Sequence, residues 1–143
     1  MGRIFLDSET LVDKLSELLA TRAEDEGIAA AWLFGSVARG TARPDSDVDV
    51  GILYHEDPPR TLAGIGKVFN LEEELTEVTG LPIQIVALNH APVDLAIRVL
   101  RDGKLLLGQD SLRRVDFEVR ARNEFWDLEP YLRLYRGQTA TGP

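Results

Sequence analysis

Cysteine is missing from all 143 residues, so the chain has neither a disulfide framework nor a thiolate metal site. Histidine is nearly missing too. His55 and His90 stand far apart in sequence, and a lone histidine is more often a surface or capping residue than a ligand. Long hydrophobic runs are absent: no window approaches the roughly 18 uninterrupted apolar residues that a membrane span needs. The apolar part of the opening MGRIFLDSET is too short for a secretory signal, and a cytoplasmic location is the default expectation. Positive charge is scarce, with 16 Lys and Arg against 24 Asp and Glu and a net charge of −8. A nonspecific nucleic-acid binder needs a basic footprint, so direct nucleic-acid binding is not expected. A nucleotide substrate stays open, because bound magnesium can supply the positive charge that an acidic site lacks.

What is present fits one globular domain. The chain is 44% hydrophobic and 28% charged, and its length can bury a core without staples. The acidity sits in the front. Residues 1–110 hold 10 basic and 19 acidic side chains, and residues 111–143 hold 6 arginines and 5 acids. Asp7 or Ser8 can cap a helix carrying Leu11, Leu15, Leu18 and Leu19 on one face, with Gly27 as its stop. Ile28 to Phe34 reads as a buried strand, Val48 to Tyr54 as a second and Pro82 to Leu88 as a third. A helix over 60–79 ends at Gly80, after a loop marked by Pro58 and Pro59. Pro92 can occupy the first turn of a helix to about Asp102, and Lys104 to Leu107 is a short fourth strand. From Asp110 to about Glu129 the pattern is helical, with Leu112, Val115, Val119 and Trp126 as its stripe. Pro130 should kink or end that helix, and Gly137 to Pro143 should fray. Strands alternating with helices imply an α/β fold, a small mixed sheet with packed helices, with 1–110 as the domain and 111–143 as a helical extension suited to contacting a partner.

The chemistry concentrates in FGSVARGTARPDSDVDVGILY, residues 34–54. Asp47 and Asp49 sit two apart, so on a strand both point to one face while Val48 and Val50 point to the other. Adjacent carboxylates repel and are costly to bury unless a cation lies between them, and hard oxygen ligands suit magnesium. Alone, this pattern reads as a solvated edge strand. Upstream, however, a buried strand runs into Gly35-Ser36, where the backbone can turn sharply and approach a ligand closely. Ser36 offers a hydroxyl, the N–H groups opening the next helical turn can face an anion, and Arg39 and Arg43 can reach phosphate oxygens. The competing reading is a glycine-stopped loop with surface arginines. The combination of strand, Gly-Ser, ten residues and D-x-D on another strand favours the site.

That segment resembles the signature of the DNA polymerase β-type nucleotidyltransferases, and more narrowly of the minimal nucleotidyltransferases that act as MntA-type antitoxins beside HEPN ribonuclease toxins. Residues 80–108 resemble the family's third strand, following helix and closing strand. Residues 114–136 resemble the tail of the antitoxin branch. The resemblance implies that Gly35 and Ser36 hold the phosphates of ATP, with Arg39 and Arg43 assisting. It implies that Asp47 and Asp49 are the catalytic residues and bind two magnesium ions. It further implies AMP transfer to a tyrosine hydroxyl of a HEPN toxin, in a hetero-oligomer with that toxin.

One position departs from the pattern. Gln84, in Pro82-Ile83-Gln84-Ile85, stands where the family has a third carboxylate, and a neutral amide can neither take a proton from the acceptor nor ligate magnesium strongly. Glu72, Glu73 or Glu74, or Glu56 and Asp57, are candidate substitutes, against a plainer role as solvated faces. Two further classes compete: a degenerate nucleotidyltransferase that neutralises the toxin by contact, and a small-molecule nucleotidyltransferase, for which the chain lacks an obvious substrate domain. Trp32 reads as core. Phe117, Phe125, Trp126, Tyr131 and Tyr135 either close the domain's own core or bury a partner.

Overall fold

The computed structural model describes residues 8–41, 43, 46–58 and 60–141, with side chains described up to Tyr135. Nine elements follow one another: α1 (Ser8–Glu26), β1 (Ile28–Phe34), α2 (Gly35–Arg39), β2 (Val48–Tyr54), α3 (Leu62–Thr79), β3 (Ile83–Ala87), α4 (Val93–Asp102), β4 (Lys104–Leu107) and α5 (Leu112–Thr141). The four strands form one mixed sheet in the order β3-β2-β1-β4. β1 pairs antiparallel with β2 and β4, whereas β2 and β3 run parallel, joined through α3. The expected neighbourhood of the three main strands is therefore present.

Helices cover both faces, which explains why β1 is apolar throughout and buried at all seven residues. On one face Leu11, Leu15 and Leu19 of α1 and Leu71 and Leu75 of α3 pack on Ala31, Leu33, Val48, Val50 and Ile52. On the other, Ala96 and Val99 of α4 and Phe117 and Ala121 of α5 pack on Ala30, Trp32, Phe34 and Leu53. Trp32 is core, with its ring centroid 5.8 Å from that of Phe117. β3 is an edge strand, and α3 protects it. Thr76 Oγ1 accepts the Ile83 N–H at 3.2 Å and Glu72 Oε2 accepts the Ile85 N–H at 2.9 Å, one helical turn apart.

Leu18 of the first helix is half-buried and packs against the core that holds Leu11, Leu15 and Leu19, and Asp7 lies outside the described residues. Pro92 is the N-cap of α4, one residue before its first turn. The larger corrections concern α5. Of the two expected effects of Pro130, a kink or an end, the end does not occur: the proline lies inside the helix, and the Glu129 carboxylate and Arg133 guanidinium meet at 2.7 Å across it. The backbone of 137–141 is helical rather than frayed. The stripe of Leu112, Val115, Val119 and Trp126 faces outward: Leu112 is 84% and Trp126 67% exposed, while Phe117 and Ala121 are buried. At 100° per residue Phe117 and Ala121 lie opposite Leu112, Val115, Val119 and Trp126, so α5 carries two apolar faces. Arg114 fixes its start by donating to the carbonyls of Gly108 at 2.8 Å and Gln109 at 3.2 Å.

Candidate active site

β1 delivers the chain to the end of the sheet, where Gly35 turns it at φ +78° into the five-residue α2. Gly40, also left-handed, ends α2, and the Thr41 N–H closes the turn onto the Ser36 carbonyl at 2.9 Å. Phe34 is the register partner of Asp49 on β2, so the turn lies directly over that residue. The approach is close: a Cβ added at Gly35 would stand 2.3 Å from Asp49 Oδ2. Glycine is thus required here by sterics as well as by backbone conformation.

Asp49 is half-buried and shares its sheet face with Leu53, while Val48, Val50 and Ile52 fill the opposite face. Asp47 precedes the first residue of β2 and is exposed. Burial raises the Asp49 carboxyl above its ordinary pKa; the charge of Asp47 pushes the same way, and that of Arg39 opposes them. Asp47 and Arg39 therefore both act electrostatically on Asp49, which the Gly35 turn approaches. Arg43 is exposed in the connection, where its N–H donates to Ser46 Oγ at 2.8 Å. Ser36, in the first turn of α2, is half-buried.

Gln84 is the β3 register partner of Asp49 and is exposed, so a neutral amide stands beside the carboxylate pair. The candidate substitutes are engaged elsewhere or solvated. Glu72 accepts the Ile85 N–H, Glu74 pairs with Arg22, and Asp57 meets Asn89 and His90. Glu73 and Glu56 are exposed. Among the described residues no group of three or more His, Cys, Asp or Glu is placed to hold a metal ion. Asp47 and Asp49 still match the donor chemistry of magnesium, which is commonly held by one or two carboxylates together with substrate phosphates.

Asn89 went unnoticed in the sequence. Its Oδ1 accepts the Tyr54 N–H at 2.9 Å and its amide donates to the Tyr54 carbonyl at 3.1 Å and to Asp57, fastening the exit of β2 to the turn after β3. That hydrogen bond to Asn89, followed by the His90 and Arg113 charges, holds the Asp57 carboxyl below its ordinary value. An asparagine followed by histidine carries no local signal for such a clamp, since its partners are 35 residues away.

A mixed sheet with a glycine-serine turn over an aspartate pair defines a nucleotidyltransferase class, and comparison with known proteins agrees. Residues 13–112 match the polymerase beta nucleotidyltransferase family, and the chain belongs to it. It is 34% identical over 76 residues to the protein adenylyltransferase MntA of Thermococcus cleftensis, covering 53% of this chain and 72% of that one. Its fold matches a toxin-antitoxin crystal structure with AMP-PNP at TM-score 0.70 and 20% identity, over 87% of this chain and 98% of the other. A complex of a tri-AMPylated Shewanella oneidensis HEPN toxin with an MNT antitoxin contains a chain that matches at TM-score 0.66 and 17% identity, over 88% and 96% of the two chains. Among the described residues no helix is long and apolar enough to cross a membrane.

Proposed function

We propose that this protein is a magnesium-dependent protein adenylyltransferase acting as an antitoxin, which transfers AMP from ATP to a tyrosine hydroxyl of a cognate HEPN ribonuclease toxin in the cytoplasm. The observation that carries the reading is the Gly35-Ser36 turn pressed against Asp49, with Asp47 beside it. The similarity to MntA and to HEPN-bound antitoxins supports the choice of acceptor.

In this reading the Gly35 turn and Ser36 grip the β- and γ-phosphates, and Arg39 and Arg43 reach the remaining phosphate oxygens. Asp47 and Asp49 hold magnesium. The bound metal supplies charge neutralisation on the phosphates and acidifies the attacking hydroxyl. The chain's own residues fix the α-phosphorus for in-line attack: the tyrosine oxygen forms one P–O bond, the bond to the leaving pyrophosphate breaks, and the phenolic proton passes to solvent. A bulky AMP on the toxin then blocks RNA by size and charge. Calorimetry tests the clamp directly. ATP should bind with magnesium and lose at least about tenfold in affinity in EDTA, since triphosphate otherwise meets two carboxylates; equal affinity in both conditions would contradict the assignment.

The extension supports a partner-contacting role. Leu128, Tyr131 and Tyr135 continue the inner stripe of α5 past Ala121, yet Tyr131 is 72% and Tyr135 66% exposed. With Leu128, these two tyrosines form aromatic surface of the kind that anchors interfaces. Replacing Tyr131 and Tyr135 together by alanine should weaken binding to the toxin by about 100-fold or more, with at most a small loss of stability. A pull-down or calorimetric affinity equal to wild type would remove α5 from the interface.

A second reading rests on Gln84. With a neutral amide at that position the protein neutralises the toxin by stoichiometric contact, as a nucleotide-binding module with no transfer. Incorporation of AMP into the toxin separates the two.

A further inference from the structure

We infer that the cleft holds one divalent cation with each nucleotide rather than two, and that Gln84 sets this count. The inference rests on the nucleotidyltransferase reading of the site.

A two-ion centre places dications about 3.5–4 Å apart. Their repulsion is about four times that of unit charges at the same distance, so anionic ligands must lie between and around them. This cleft is poor in them. Asp47 and Asp49 contribute two negative charges, and Arg39 acts on Asp49 with the opposite sign. The position that could add a third is fixed by the sheet. Asp49 and Gln84 are partners across the parallel β2–β3 pair and project to the same face, roughly 4.8 Å apart in the hydrogen-bonding direction. An amide oxygen there adds a dipole without a charge.

The nearby acids do not make up the difference. Ile85, the residue after Gln84, alternates to the opposite face, and its outward N–H binds Glu72 on the closed side of the strand. Glu74 is held by Arg22. Asp57 lies at the far end of β2, held by Asn89 and His90. One hexacoordinate ion, by contrast, is well served by two carboxylates, phosphate oxygens and water. Gln84 then is a specificity-determining residue for metal count, and the acceptor hydroxyl attacks the α-phosphorus without a dedicated second ion.

The test is equilibrium dialysis of the full chain against Mn2+ and α,β-methylene-ATP, which cannot release pyrophosphate, with both bound species counted in the same sample. Wild type is expected to hold one manganese per bound nucleotide. Gln84→Asp is expected to raise the ratio to two, and Gln84→Glu controls for the reach of the longer side chain. Two ions per nucleotide in wild type, or a ratio of one in both Gln84 variants, would overturn the proposal while leaving the nucleotide site intact. Failure of wild type to bind nucleotide at all would instead overturn the nucleotidyltransferase reading on which it rests.

Discussion

Gly35→Ala is expected to lower AMP transfer by about 100-fold or more, the loss that follows when reacting groups are displaced by about an ångström. Two independent effects drive it. The new methyl would stand 2.3 Å from Asp49 Oδ2, well inside contact distance, so either the carboxylate rotates or the turn lifts. The backbone also holds φ +78°, a left-handed conformation that costs an alanine roughly 1–2 kcal/mol. Both effects fall on the junction of the Gly35 turn and Asp49, the proposed phosphate turn and metal ligand, while the buried layers beneath are untouched. The variant should therefore stay folded by circular dichroism, with a modestly lower Tm, and lose magnesium-dependent ATP binding. Transfer within threefold of wild type would show that Asp49 and the turn need not be held together.

Asp47→Asn combined with Asp49→Asn should have the largest effect of all, lowering transfer by about 10³-fold or more, because it removes a metal contribution of several kcal/mol and each 1.36 kcal/mol is tenfold in rate. Without metal the same change should leave the fold equally or more stable. Burial and the neighbouring Asp47 raise the Asp49 pKa, so the folded protein holds that proton more tightly than the unfolded chain does. The stability linked to this proton is present below the ordinary carboxylate pKa and is lost as pH rises through the raised value. Thermal melts in EDTA should accordingly show the Asn variant gaining on wild type between acid and neutral pH. A variant that melts well below wild type at neutral pH would mean that the two aspartates serve the fold and not a ligand.

Much of this arrangement is legible in the sequence because its signals are local. Seven unbroken apolar residues at Ile28–Phe34 report a strand covered on both faces, and Gly35 and Gly80 mark ends that need left-handed backbone. The D-x-D alternation places Asp49 opposite the Val48 and Val50 face with no knowledge of the partner strands. What sequence pattern cannot supply is which of two periodic stripes a helix buries. In α5 the outward set of Leu112, Val115, Val119 and Trp126 is as regular as the inward pair Phe117 and Ala121, and only the shape of the sheet and α4 selects between them. Pro130 misleads for a related reason. Local chemistry says kink or stop, yet the helix runs on past Pro130, with Glu129 and Arg133 paired across it. The roles of Glu72 and Asn89 are equally hidden, since a carboxylate that caps a strand edge and an amide that clamps two backbone groups depend on contacts 13 and 35 residues away. The place of Gln84 is read in both ways: its chemistry from sequence, its adjacency to Asp49 from the strand register.

The most direct measurement is incorporation of AMP from α-labelled ATP into the purified HEPN toxin proposed as partner, followed together with that toxin's ribonuclease activity. The account predicts label on a tyrosine of the partner with wild-type protein and magnesium, a parallel fall in ribonuclease activity, and neither with the Asp47→Asn, Asp49→Asn protein. Inhibition of the ribonuclease at one-to-one stoichiometry with no label, equally strong with that variant, would contradict it and establish neutralisation by contact.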